Sequence, residues 1–479
     1  MTLADLSTAG LDLVVFLTSL INFQGAIGYA DPEVAIVLMT PRPYSTGLGY
    51  ESPTEHTVDR TVTSALATNQ LFHRLSQLEQ TQQTQTVALD DLVSKVEKTD
   101  MPRVVGIKDR IACFQWTWFT STMATGGIAN VLASVPFRSQ WLQVVGVIFF
   151  IFNICLFITN TGLLLTRFRL RPGSFRHSFT DRVESLFIPA SLVSLGTILI
   201  NICQYGVPKT GPWLLATMEA LFWVWAVAAI LISAGIYLIL WSTLVFPIHT
   251  MTPVWVFPAY PLLLTAPFAG NLINSSVKIG HTSTLNALPI AMAAVAVQGM
   301  GFCLSFMILA AFIYRLMTQK LPRDMQRPGV FISIGPSGFT AAGLVQLGGL
   351  AGEILPEDFM MPGMTAHAVF ILKLLSAMIG LWLWGLAVWF FFVSVGSFWK
   401  YARPEHEAKI GFQMTFFSFV FPNTALVTAT YQIANAFSCR PLQIVGCVMA
   451  GLLVLVWAVI FVTMIRCIWK RELLWPKDE

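Results

Sequence analysis

Three short stretches of the 479-residue chain carry groups that could hold a charged solute without a fixed charge. They are Thr122, Thr125, Gly126 and Gly127; then Gly335, Pro336, Ser337, Gly338 and Thr340; then Asn423 and Thr424. In each, hydroxyl or amide side chains stand beside glycine or proline, residues that interrupt helices. An interrupted helix exposes backbone N–H groups, and the positive dipole end of the half-helix attracts carboxylates. Neutral ligands bind weakly, which suits a pathway, because a tightly held ion does not leave. Covalent chemistry has no comparable candidates. The apolar segments contain no HxxxxD pair, no DDxxD cluster and no histidine set, and Asp90-Asp91 falls in the polar N-terminal part. The seven cysteines form no CxxC pair and have no histidine at ligand spacing, so they read as small apolar residues. The expectation is a protein that is no enzyme, with no metal and no cofactor.

The elements that must position these groups lie in a membrane. Hydrophobic residues make up 55 % of the chain and charged ones 11 %, against about 25 % charged in a soluble protein. Mean hydropathy is +0.67. A soluble fold could not hide this much apolar side chain, which excludes a soluble enzyme, a nucleic-acid binder and a disordered scaffold. Spans of bilayer-crossing length are expected at 112–135, 141–165, 185–206, 213–240, 253–275, 287–314, 330–351, 366–393, 412–437 and 444–466. Before them, residues 1–110 read as a largely mobile cytosolic tail, with 57–100 carrying leucines at helical spacing that would suit an amphipathic helix. Residues 111–470 form the transmembrane domain, and 471–479 a second tail.

Loop charge sets the orientation. Arg167, Arg169, Arg171, Arg176 and Arg182 follow the second span, Arg315, Lys320, Arg323 and Arg327 the sixth, and Lys400, Arg403 and Lys409 the eighth. The other side offers Arg138, Lys209, Lys278 and Arg440. Both termini are therefore expected in the cytosol of a multi-pass protein of the cell membrane. The net charge of +4 reports this bias and no polyanionic partner.

Proline and polar side chains divide the spans by parity. Pro189, then Pro258, Pro261 and Pro267, then Pro336, then Pro422 fall in the third, fifth, seventh and ninth spans, while the first has Gly126-Gly127 halfway along. The even spans are dominated by runs such as VIFFIF and LWLWGLAVWFFF. A proline inside a helix kinks it, and in lipid the freed carbonyls are tolerated only within protein or beside water. Packing by small residues explains a few positions per helix but not a split by parity. The expected fold is all-α: ten transmembrane helices as five hairpins around a central pore, kinked odd helices inside and even helices outside.

The stretches TSTMATGGIANVL (120–132), ESLFIPASLVSLGT (184–197), FISIGPSGFTAAGLVQLG (331–348) and FFSFVFPNTALVTAT (416–430) resemble the tellurite-resistance/dicarboxylate transporter family. That family includes fungal malate permeases, sulfite efflux pumps and plant slow anion channels, and the likeness is nearest to the malic-acid-permease branch. The resemblance implies a homotrimer with one pore per subunit, and transport of an anion. The cargo would be a malate-like C4-dicarboxylate or related organic acid, including a pathway-specific exported metabolite, with proton coupling open; the alternative is efflux of sulfite or another small inorganic anion. It also implies that Phe421, beside Pro422, plugs the pore as a gate. At 1.5 Å per residue Phe421 would sit about 13–15 Å deep.

Two ionisable residues fall inside even spans, Glu219 and Lys373. Intramembrane charges are functional candidates by default. Lys373 is the candidate for positive potential at the outer mouth, and the ring order sets the two too far apart to pair.

Overall fold

The computed structural model describes residues 105–476, apart from 282–284, 360–362 and 403–409. The candidate helix at 57–100 and most of the N-terminal tail lie outside the described residues. Ten longer helices follow a short one at Ile107–Ala112: α1 Phe119–Ser134, α2 Gln140–Leu170, α3 Pro189–Asn201, α4 Pro212–Thr243, α5 Thr265–Lys278, α6 Ala287–Gln319, α7 Ile334–Gly349, α8 Thr365–Gly396, α9 Phe421–Ala436 and α10 Arg440–Trp469. No β-strand occurs among the described residues.

Proline marks where four of the five odd helices begin. A 3-10 turn at Trp116–Trp118 precedes α1, a one-turn helix at Glu184–Phe187 precedes α3, and Pro253–Ala259 with Tyr260–Leu263 precedes α5. Further 3-10 stretches, Asp324–Ser333 and Met414–Phe419, precede α7 and α9. Pro189, Pro267, Pro336 and Pro422 each occupy the first turn of the α-helix that follows. There a missing N–H has no intrahelical partner to lose, and the fixed φ suits the helix. The sequence reading placed internal kinks in these spans; the prolines instead start new helices. Gly126-Gly127 is corrected as well, since α1 runs unbroken through both residues and its break lies upstream at 116–118.

Among the described residues, eight helical stretches are long and apolar enough to cross a membrane. The five even helices, 30 to 33 residues each, span about 45–50 Å. Their most apolar windows are only 17 % to 39 % buried, against 78 %, 100 % and 89 % for Glu184–Thr210, Pro253–Lys278 and Asp324–Gly349. The long apolar runs thus face outward, where burial in lipid replaces burial in protein. Helices α1 and α9, at 16 residues each, fall outside the eight. They are interior nonetheless: every residue from Phe119 to Leu132 and from Phe421 to Tyr431 is buried.

The odd helices touch in the order α1–α3–α5–α7–α9 and back to α1, closing a ring. Each even helix lies against two consecutive ring members: α2 on α1 and α3, α4 on α3 and α5, α6 on α5 and α7, α8 on α7 and α9, α10 on α9 and α1. Two glycines let ring members approach. A Cβ at Gly338 would stand 2.9 Å from the Ala425 Cβ and 3.1 Å from its carbonyl carbon, and one at Gly127 would meet Thr424 Oγ1 at 2.8 Å.

The outer helices also repair the breaks. From α2, Asn160 Nδ2 donates to the Trp118 carbonyl (3.1 Å); from α4, the Tyr237 hydroxyl donates to the Trp255 carbonyl (3.0 Å). Gln298 of α6 accepts from the Ala266 N–H (3.1 Å) and donates to Thr340 Oγ1 (2.9 Å). The indoles of Trp384 on α8 and Trp457 on α10 donate to Thr430 and Thr125. A polar group freed in a low-dielectric interior costs several kcal/mol in hydrocarbon unless it is paired, so each outer helix contributes at least one polar arm to the wall it covers.

Candidate functional site

The C-terminal ends of all five ring helices open into one cavity of about 390 Å3. Ser134 and Arg138 come from the end of α1 and just beyond it, Gln204 from the π-helical turn after α3, Asn274 and Lys278 from α5, Gln346 from α7, and Gln432 and Asn435 from α9. Its floor is an amide belt: Gln204 Nε2 donates to Asn130 Oδ1 (2.6 Å) and Asn271 Oδ1 (2.9 Å), tying α1, α3 and α5 together. The end of α10 lies at the opposite face, where Arg110 donates to the carbonyls of Ile468 and Leu474. On that side Arg167 and Glu184, both buried, form an ion pair joining α2 to the turn before α3, and the Glu184 carboxylate also accepts from the Trp116 N–H (3.4 Å).

Toward the N-terminal ends of the ring helices the space narrows to an aromatic cluster. Phe421 is 3 % exposed. Its ring centroid lies 5.2 Å from that of Phe339 on α7 and 6.0 Å from that of Tyr260 before α5. Tyr260 stacks on Phe257 and anchors its hydroxyl on the Ile332 carbonyl (2.5 Å). The space beside Phe421, bordered by Thr120, Met123, Tyr260 and Phe417, is about 10 Å3. A single water needs about that much, so no organic acid passes this level in the present conformation.

The sequence-nominated residues are not gathered in one cavity. Phe421 lines the small central one, while Pro336 and Ser337 border an apolar space of about 80 Å3 between α6 and α8, with Phe302 and Phe390. The Thr125 hydroxyl faces Trp457, and that of Thr340 faces Gln298. Thr122 pairs with Ser194 of α3 (2.6 Å). Gly126 packs on Thr197 and Asn153, Gly127 on Thr424, Gly335 on the Tyr260 hydroxyl and Gly338 on Ala425. Thr424 donates to the Phe421 carbonyl (2.6 Å). Asn423 donates to the Phe419 carbonyl (2.8 Å) and keeps a buried Oδ1 without a partner. Most of these small polar residues therefore hold the wall together.

The charged candidates are displaced too. Lys373 lies on the exposed face of α8, between Phe370 (66 % exposed) and Leu374 (49 %), and Glu219 is half-buried on α4. Neither lines the cavity, whose cations are Arg138 and Lys278. The hydropathy argument fixed how deep Lys373 lies but not which face of its helix bears it. Arg138, Lys278 and the lining amides were missed as site residues. A signal was present: at least one amide falls near the end of each of the last four polar segments, including Gln204, Asn274, Gln346 and Gln432.

A five-membered helical ring wrapped in lipid-length helices, hollow and polar at one end and closed by aromatics within, defines a multi-pass membrane protein built for solute passage. Residues 113–465 match the family model described as SLAC1, voltage-dependent anion channel, and the chain belongs to that family. Among its relatives, the malic acid transport protein of Schizosaccharomyces pombe is 27 % identical over 376 residues, covering 78 % of this chain and 83 % of that one. A putative malic acid transport protein of the same yeast is 28 % identical over 373 residues, 78 % of this chain and 84 % of its own. The sulfite efflux pump SSU1 of Trichophyton rubrum is 26 % identical over 352 residues, covering 73 % and 90 %. The chain is an anion transporter by family, and the malic acid branch anticipated from its motifs is among the matches.

Proposed function

We propose that this protein moves a malate-like C4-dicarboxylate, or a closely related organic acid anion, across the plasma membrane along the axis of the ring. The observation that carries the reading is the closed ring of five helices, four of them started by proline, with a polar cavity at one end and Phe421 within. In this reading α1 and α9, together with the turns before them, also cross the bilayer, giving ten crossings in five hairpins with both termini in the cytosol. Phe421 is the gate, Asn423 and Thr424 lie next to it at the start of α9, and three such units associate as a homotrimer through the exposed apolar faces of the even helices. The malic acid transport relatives and the size of the cavity support the dicarboxylate. Sulfite is the second reading, favoured by the sulfite efflux relatives.

The test is flux of labelled malate, a tricarboxylate or sulfite into proteoliposomes, each with and without a pH gradient. Malate flux above empty liposomes is expected, and acceleration by a pH gradient marks proton coupling. Sulfite flux with no carboxylate flux transfers the assignment to the second reading. Mass photometry of the purified protein in nanodiscs decides the trimer, and a tag on either terminus, probed in sealed cells, decides the orientation.

A further inference from the structure

The cavity at the C-terminal ends of the ring helices poses an electrostatic problem for anion transport. Each helix end carries a negative partial charge of about half a unit from its unpaired carbonyls. Several such ends around one opening repel the solute the family carries. Among the residues lining this cavity there is no aspartate or glutamate, and there are two cations, Arg138 and Lys278, on opposite sides of α3 in the ring order. Both side chains are exposed, and neither makes an ion pair among the described residues. The remaining polar lining is almost all amide: Gln204, Asn271, Asn274, Gln346, Gln432 and Asn435.

We infer that this cavity is a binding site for a dicarboxylate dianion, with Arg138 and Lys278 as its two cationic poles. The inference rests on the reading that the path runs along the ring axis. Two like charges within one cavity of about 390 Å3 repel each other, and a ligand bearing two separated carboxylates neutralises both at once. Arg138 can grip one carboxylate bidentately through its planar fork, whereas Lys278 meets the other as a compact point charge. The amides donate to the outer carboxylate oxygens without adding charge, so the ligand is held at both ends yet released. The volume lies within the roughly 300–1,000 Å3 usual for small-molecule sites, which leaves room for the acid and part of its hydration shell. A monocarboxylate reaches only one pole, so the pair is a specificity device: it selects charge number and spacing before the solute meets Phe421.

The experiment measures KM and maximal rate for succinate and for lactate in proteoliposomes, comparing wild type with Arg138→Gln, Lys278→Gln and Arg138→Lys at 0.1 M and 0.5 M salt. A charge-assisted contact corresponds to roughly 10–100-fold in affinity. Each Gln variant is expected to lose about tenfold of the succinate-over-lactate preference, through KM with maximal rate kept, at both salt concentrations. Arg138→Lys keeps the charge without the fork and is expected to lose less of the preference than Arg138→Gln. An unchanged preference in monodisperse Gln variants overturns the site. So does a loss that vanishes at 0.5 M salt, because that marks long-range steering instead of contact. Both side chains are exposed, so folding is little at risk, and succinate-dependent stabilisation of the purified protein in a thermal melt gives a second readout, expected in wild type and weakened in each Gln variant. If wild type carries no dicarboxylate at all, the transport proposal has failed, and the melt then decides the site: absence of succinate-dependent stabilisation in wild type overturns it.

Discussion

Replacing Phe421 by alanine tests whether the aromatic cluster is a gate. For a solute to pass, the Phe421 ring must leave a site where it is 3 % exposed and packed on Phe339 and Tyr260. Exposing a buried phenylalanine costs about 1.5–3 kcal/mol, and each aromatic contact adds about 0.5–1.5 kcal/mol. The low end of this range, about 2.5 kcal/mol, leaves the displaced ring populated roughly one part in sixty. Phe421→Ala removes that barrier, so anion conductance is expected to rise by about 60-fold or more, up to the limit set by the rest of the path. Phe421→Leu keeps bulk without the ring and is expected to fall between the two. The assay is single-channel or macroscopic current in planar bilayers, paired with liposome flux. Truncation of a buried phenylalanine also costs about 3–5 kcal/mol of stability, so the variant must first elute as a monodisperse species with a cooperative melt. Conductance equal to or below wild type in such protein refutes the gate.

Three further outcomes are expected. Gly127→Ala places a methyl 2.8 Å from Thr424 Oγ1, which should cost about 1–3 kcal/mol; Thr424→Ala in the same chain should recover most of the lost melting temperature, and additive losses would contradict the α1–α9 seam. Gln298→Leu leaves the Ala266 N–H without its acceptor, a loss of about 1–3 kcal/mol that a melt in detergent would register; an unchanged melt would show that the arm from α6 is dispensable. Breaking the Arg167–Glu184 pair with Arg167→Ala should cost about 3–5 kcal/mol, whereas replacing both residues by apolar ones of similar volume should cost far less; equal losses would remove the buried-pair argument.

The division between the two kinds of helix was legible because its causes are local. Pro189, Pro267, Pro336 and Pro422 single out the odd spans, although they start helices there and do not kink them, and runs such as 147–152 declare a lipid face by composition alone. Phe421 beside Pro422 was readable as a residue within a span beginning at 412, but not as the start of α9. The cavity was not, because Arg138, Gln204, Lys278, Gln346 and Gln432 belong to five separate segments, and only closure of the ring gathers them. Facing was the second obstacle. Hydropathy puts Lys373 at a depth, but the turn of α8 carries it outward, while Lys278, counted only for orientation, turns toward the axis. The polar arms were hidden by averaging: Asn160, Gln298, Trp384 and Trp457 lie in helices whose apolar means conceal their few inward-facing hydrogen-bonding groups.

The glycine seams at 127 and 338 have a geometric corollary. Neighbouring helices in close contact stand about 8–10 Å apart. Five axes at that spacing, taken as a regular pentagon, lie about 7–8.5 Å from its centre, and subtracting the 2.3 Å radius of the Cα cylinder leaves a clear radius of about 4.5–6 Å. A phenylalanine side chain is of comparable length. One such residue on one vertex can therefore stopper the whole bore, and a stopper that needs only one rotamer to shift can be sprung without repacking the wall.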